Sequence, residues 1–188
     1  MRISGGEARG IPLIVPRGNA VRPATDGMRQ AVFSSLGARV AGAHFWDLFA
    51  GSGAYGLEAL SRGAAGGVFV ERHPRAAACV KHNLAAIDRN RTGAAAEAQV
   101  VTADALTWTP SAGAPVADLV FIDPPYELIA AAAPALFSRL SVALATKPDA
   151  VILFEMPGEV TLAPAGWTCV KRLGKGSHQP TVGIFQRV

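Results

Sequence analysis

The stretch FWDLFAGSGAYG, Phe45 to Gly56, narrows the choice of fold more than any other in the chain. An apolar run, a turn with glycine at alternate positions and a third glycine three residues on describe a buried strand that feeds directly into a helix. The same alternation continues downstream. His44 to Phe49 is predicted as a strand, Ala54 to Arg62 as a helix, Gly67 to Glu71 as a strand, and about Pro74 to Ile87 as a helix with proline in its first turn. Strands follow at Ala98 to Thr102 and Ala117 to Ile122, then an alanine-rich helix from about Leu128 to Leu144 and a strand at Ala150 to Glu155. Trp167 to Arg172 and Thr181 to Gln186 are expected to form a closing antiparallel pair. Strands alternating with helices imply an α/β fold: a mostly parallel sheet with helices on both faces.

The first forty residues differ from this pattern. Short apolar pieces broken by Gly and Pro suit a hairpin or irregular arm over residues 1–24. Thr25 or Asp26 then caps a helix with Met28, Val32 and Leu36 on one face, leaving Arg29 and Arg39 elsewhere on its surface. This segment holds six arginines (Arg2, Arg9, Arg17, Arg22, Arg29, Arg39) against Glu7 and Asp26, whereas the rest of the chain balances twelve basic and twelve acidic residues. The net charge of +4 therefore resides entirely in the opening segment. Clustered arginines fit a polyanion, and they fit a solvated basic face equally well.

At 188 residues, half of them apolar and 17% charged, the chain suits one globular domain with a short appendage. The polar, basic start has no apolar h-region, and no later run approaches a membrane span, so a cytoplasmic monomer is expected. Cys79 and Cys169 are read as buried thiols, and Cys79 with His82, three apart on one helix, lacks a second ligand pair for a metal.

Ligands on parallel sheets bind beyond the carboxyl ends of the strands. Four acids fall there: Asp47, Glu71, Asp104 and Asp123. Gly51 to Gly56 matches the GxGxxG dinucleotide pattern, with Glu71 twenty residues after Gly51. Asp47 argues against a dinucleotide, because a carboxylate four residues before Gly51 repels a pyrophosphate and attracts an ammonium or sulfonium. S-adenosyl-L-methionine carries both cations and no phosphate. In this reading Asp47 and the turn Phe49-Ala50-Gly51-Ser52-Gly53 bind its amino-acid end. Glu71 accepts from the ribose hydroxyls, Arg72 packs beside the adenine, and Asp104 with the Ala105 amide reads the adenine edge.

The last acid opens Asp123-Pro124-Pro125-Tyr126. Methyl transfer to an exocyclic amine must overcome delocalisation of the nitrogen lone pair, and acceptors on the amino hydrogens help to localise it. The Asp123 carboxylate and the Pro124 carbonyl are suited to that work, Pro125 stiffens the turn, and Tyr126 offers a ring on which an unpaired or flipped base stacks.

With these motifs in place the chain resembles the class I methyltransferases that modify amino groups of bases. More narrowly, it resembles the bacterial 16S ribosomal RNA guanine-N2 methyltransferase family. RISGGEARGIPL, VRPATDGMRQAVFSSL, FWDLFAGSGAYGLEALSRGA and VFIDPPY carry the resemblance, in order and over nearly the whole chain. Where that family usually shows a second threonine, a basic residue and a glutamate around the Thr-Asp pair, this chain has Ala24, Gly27 and Gln30. The resemblance implies a Rossmann-like fold with a seven-stranded, mostly parallel sheet, an RNA-binding arm over residues 1–24 and a methyltransferase domain over 25–188. It further implies a guanine of small-subunit 16S ribosomal RNA as substrate, contacted by Arg2, Arg9, Arg22, Thr25, Asp26, Arg29 and Lys175. Adenine-N6 methylation of DNA is the alternative within this chemistry, although no connection is long enough for a duplex-reading domain. An NAD-dependent oxidoreductase retains the glycine turn but leaves Asp47 and Asp123 without a role.

Overall fold

The computed structural model describes residues 1–16, 25–92 and 96–188. Among these residues, seven strands form one sheet: β1 (His44–Leu48), β2 (Gly66–Glu71), β3 (Glu97–Thr102), β4 (Leu119–Ile122), β5 (Val151–Pro157), β6 (Trp167–Leu173) and β7 (Pro180–Arg187). Their order is β3-β2-β1-β4-β5-β7-β6. The first five are parallel, and β7 runs antiparallel to both β5 and β6. Strand succession moves outward from β1 through β2 to β3, then resumes at β4 on the other side of β1. The crevice between β1 and β4 is therefore the topological switch point, where such sheets bind ligands.

Four α-helices and two single-turn 3-10 helices accompany the sheet among the described residues; the α-helices are α1 (Asp26–Leu36), α2 (Ala54–Ser61), α3 (Pro74–Asp88) and α4 (Ile129–Ala143). Side chains alternate between the faces of each strand. Phe45, Phe69, Phe121, Leu153 and Ile184 point to the side covered by α1, α2 and α3. Trp46, Leu48, Val70, Val120, Ile122, Ile152 and Phe154 point to the side covered by α4. Gly56 explains the close fit of α2 to the sheet, because a Cβ there would lie 2.4 Å from the Phe69 ring and 2.5 Å from that of Phe45.

Residues 1–16 lie on the body rather than projecting from it. Ile3, Ala8 and Leu13 are buried in the core on the α2 side. The arm folds back on itself through Ile3 N–H to Ile11 O, Leu13 N–H to Met1 O and an Arg2–Pro12 bridge. Ser4 binds Glu58 of α2 through its backbone N–H and its hydroxyl, at 2.8 and 2.7 Å. Thr25 caps α1 as expected, its Oγ1 accepting from Met28 N–H at 3.2 Å. No helix among the described residues is long and apolar enough to cross a membrane.

Candidate active site

The chain leaves β1 through a backbone that few residues tolerate. Phe49 has φ 63°, Gly51 φ 56° and Gly53 φ 80°, so a β-branched residue at either glycine, like the aromatic already at Phe49, would be strained. A left-handed aromatic costs on the order of 1–3 kcal/mol, and such strain concentrates at functional sites. The turn is fastened from β2: Glu71 accepts from Gly51 N–H at 2.9 Å with one carboxylate oxygen and from His73 N–H at 2.8 Å with the other. It is also fastened from α3, where the buried Asn83 donates to Ser52 O at 3.0 Å. The same amide exchanges hydrogen bonds with Ile14 N–H and O at 2.8 and 2.9 Å, tying the arm to the turn.

Strand register assembles the acids. Leu48 lies level with Val70 and Ile122, and Ile122 level with Phe154. One residue further on, Glu71, Asp123 and Glu155 fall level with one another on the α2 side, with Asp47 one pleat back on that face, whereas Phe49, past the end of β1, packs on the α4 side. Asp47 is 2% exposed and its Oδ2 accepts from Gly56 N–H at 3.0 Å in the first turn of α2. Burial pushes its carboxyl up to about 8, opposed by the Gly56 hydrogen bond and aided by repulsion from Glu71. Asp123 is half-buried; desolvation, then the charges of Glu155 and Asp47, raise its carboxyl well above the ordinary value. Pro124 is buried behind it, Pro125 is half-buried, and Tyr126 is 40% exposed at the rim.

Two side chains of this site escape sequence reasoning about strand ends and glycine turns. Glu155 is buried within β5, two residues before its end, and its Oε2 accepts from the Tyr55 hydroxyl at 2.9 Å. Burial pushes Glu155 up to about 7, while the Tyr55 bond and the Arg29 charge hold it lower than burial alone would. An acid after the apolar run Val151-Ile152-Leu153-Phe154 was a readable signal for Glu155; Tyr55, at an unspecified position of GxGxxG, had none. Beyond the end of β3, Asp104 is exposed and its Oδ1 accepts from Leu106 N–H at 2.8 Å, while Ala105 is buried. Arg139 of α4 clamps this loop by donating to the carbonyls of Leu106, Trp108 and Ala105. Arg72 is exposed beside Glu71 and directs its Nε to His73 at 3.3 Å.

The expected substrate-facing residues separate. Arg2, Arg9, Thr25 and Lys175 are exposed, Asp26 is half-exposed, and Arg22 lies outside the described residues, as does Ala24. Arg29 corrects the expectation of a surface contact: it is fully buried. Its guanidinium donates to Arg2 O and Asp26 Oδ1, both at 2.6 Å, and lies 3.7 Å from the buried Glu58 carboxylate. A helix periodicity assigns arginine to solvent by default, whereas the acid on α2 pays the desolvation of this one. Cys169, expected buried, is exposed near the sheet edge, and Cys79 is half-buried. An open cavity of about 580 Å³, lined by Arg39, Asp118, Lys147 and Asp149 among others, lies at the opposite, amino-terminal end of the strands and shares no residue with the acid row.

A cleft with three carboxyls whose ionisation is suppressed by burial and mutual repulsion favours a ligand that brings positive charge and disfavours a pyrophosphate. Residues 1–183 match the model of the family described as conserved hypothetical protein 95. Ribosomal RNA small subunit methyltransferase D of Escherichia coli strain K12 is 40% identical over 126 residues, which cover 67% of this chain and 60% of that protein's length. The protein of the same name from Haemophilus influenzae is 31% identical over 178 residues, covering 94% of this chain and 89% of that one. Among solved structures, the putative methyltransferase yhhF from Escherichia coli superposes with a TM-score of 0.79 at 30% identity, covering 100% of this chain and 97% of the other. The fold is that of the class I methyltransferases.

Proposed function

This chain belongs to the family described as conserved hypothetical protein 95, and on that premise we propose that it methylates the exocyclic N2 amino group of a guanine in 16S ribosomal RNA, using S-adenosyl-L-methionine. The observation that carries the reading is Asp123 at the end of β4, in one row with Glu71 and directly across the switch point from the strained turn after β1. The relatives' names supply ribosomal RNA as the substrate class; the guanine and its N2 position rest on the motif resemblance.

Each oxygen of Glu71 accepts one backbone N–H and keeps a lone pair for a ribose hydroxyl. Asp47 acts from beneath the turn, where a nearby cation draws off its proton and stabilises the anion. Phe49, Ala50, Gly51, Ser52 and Gly53 shape the floor, and Asp104, Ala105 and Arg72 flank the adenine end. The cofactor, when bound, supplies an electrophilic methyl group with a neutral thioether as its leaving group. Asp123 and the Pro124 carbonyl accept the two amino hydrogens and aim the nitrogen lone pair into the cleft. Pro125 holds the turn, and Tyr126 at the rim stacks on the base. Residues 1–24 serve as the RNA-binding arm on a methyltransferase domain of 25–188, with Arg2, Arg9 and Lys175 on phosphates and Thr25 and Asp26 near the base. The protein works as a cytoplasmic monomer on RNA of the small subunit.

The test is incubation with labelled cofactor and, separately, small ribosomal subunits, free 16S ribosomal RNA and duplex DNA, followed by nucleoside analysis. N2-methylguanosine from either RNA sample is expected. Label appearing as N6-methyladenine in DNA would overturn the assignment in favour of the other amino-group chemistry.

A further inference from the structure

Glu155 has no part in the mechanism above, yet it adjoins the reacting centre. Because Ile122 pairs with Phe154, the next residues of the two strands, Asp123 and Glu155, are neighbours on the face covered by α2. The rest of β5 is apolar and buried, and Glu155 is itself 2% exposed. Its bonded partner is a hydroxyl rather than a cation: Tyr55, fixed in turn by stacking on Phe121 with centroids 5.4 Å apart and planes 10° from parallel. Burying a carboxylate on a neutral partner is unfavourable, and an amide or apolar side chain would fill the place at less cost. The charge of Arg29 offsets only part of that cost, and the acid stands next to the reacting centre.

We propose that Glu155, held by Tyr55, is a positioning residue for proton removal: its carboxylate, next to Asp123 across the strand pair, makes Asp123 the better acceptor for the proton that leaves the methylated amino group. The inference rests on the amino-methyl transfer proposed above. After nitrogen has bonded to the methyl group it bears one hydrogen too many. One N–H bond breaks, its electron pair stays on nitrogen, and the proton passes to the Asp123 carboxylate. Neighbouring carboxylates share a proton readily, because one negative charge in the pair costs less than two. The proton rests on Asp123, the member of the pair that the charges of Glu155 and Asp47 push up, and leaves from that half-buried carboxyl to solvent.

The groups facing this pair fix the expected pH behaviour. Tyr55 from α2 and the charge of Arg29 from α1 hold Glu155 down. Asp47 from β1 and Glu155 itself push Asp123 up. Glu58 of α2 is engaged by Arg29 and Arg62, and β7 presents the uncharged Val182 opposite Glu155. Turnover then rises with pH as the pair loses its last proton.

Glu155→Gln keeps the volume and an acceptor for Tyr55. It is expected to lower kcat about tenfold or more and to move the rising limb to lower pH, with affinity for S-adenosylhomocysteine within about twofold of the parent. Tyr55→Phe removes the bond that holds Glu155 down and moves the limb to higher pH. Carboxyl ¹³C resonances of the ligand-free protein provide a readout independent of turnover: Asp123 should titrate at lower pH in Glu155→Gln. Methyl transfer by the parent with kcat, limb and Asp123 titration all unchanged in Glu155→Gln overturns the role of Glu155 alone. Absence of methyl transfer by the parent overturns the methylation reading itself.

Discussion

Replacement of Asp47 by asparagine should make the ligand-free protein more stable, and the gain should grow with pH. An unfolded Asp47 ionises at the ordinary value of 3.8, whereas in the fold its carboxyl is pushed up to about 8, chiefly by burial. The sign follows from which state binds the proton. Below 3.8 both states are protonated and the group is neutral in its effect; as pH rises toward 8 the folded state must hold a proton that the unfolded state has released, and stability falls. At pH 7 the penalty is about 1.36 × (7 − 3.8), or about 4 kcal/mol, and at pH 5 it is about 2 kcal/mol. Asparagine avoids the penalty and keeps an oxygen for Gly56 N–H, which Asp47 Oδ2 now accepts at 3.0 Å. With roughly 2–4 °C per kcal/mol for a chain of this size, the melting temperature should rise by about 10 °C at pH 7 and about half as much at pH 5. Thermal unfolding monitored by circular dichroism over pH 5–8 measures this directly. Equal melting temperatures at pH 7, or parallel slopes for the two proteins, would refute the account of Asp47 as a suppressed buried acid. The same variant should bind S-adenosyl-L-methionine at least about tenfold more weakly, since a lost charge-assisted contact is worth more than 1.4 kcal/mol.

Asp123→Ala should reduce methyl transfer by about a hundredfold or more while leaving S-adenosylhomocysteine binding measurable by calorimetry, because it removes an acceptor on the reacting nitrogen and not the cofactor's cradle. Arg2→Ala combined with Arg9→Ala should weaken RNA binding and flatten its salt dependence by about one unit of log–log slope per lost phosphate contact, with cofactor affinity intact. Gly56→Ala should cost about 1–3 kcal/mol in urea unfolding, since its Cβ would sit 2.4 Å from one buried ring and 2.5 Å from another.

The strands and helices were predictable because each obeys a local rule. Apolar runs closed by an acid mark β2 and β4, the glycine turn marks the end of β1, and proline at the start of α3 marks its first turn. Boundaries moved by a few residues: β4 begins at Leu119 rather than Ala117, and β5 runs past Glu155 to Pro157. Three of the four predicted acids, Asp47, Glu71 and Asp123, meet at one sheet end for the same reason, since equal strand phase places them in neighbouring rows. Asp104 keeps to its loop as an exposed acceptor for Leu106 N–H.

The misplacement of Arg29 and the omission of Glu155 have a common cause in the reach of sequence patterns. Helical periodicity places a side chain relative to its own helix, and it contains no information that Glu58, on another helix, will lie 3.7 Å from that guanidinium. Nor does an apolar strand reveal that its one acid will meet a tyrosine hydroxyl a hundred residues earlier in the chain. Such buried polar contacts are energetically poor unless both partners arrive together, so each is a property of the assembled fold. That dependence links the arm to chemistry. Arg29 joins Arg2 O, Asp26 and Glu58, and its charge also lowers Glu155. A change that lifts the arm and leaves Arg29 less tightly held therefore alters the field on the carboxyl beside Asp123, although neither residue of the arm nor of α1 touches it in sequence.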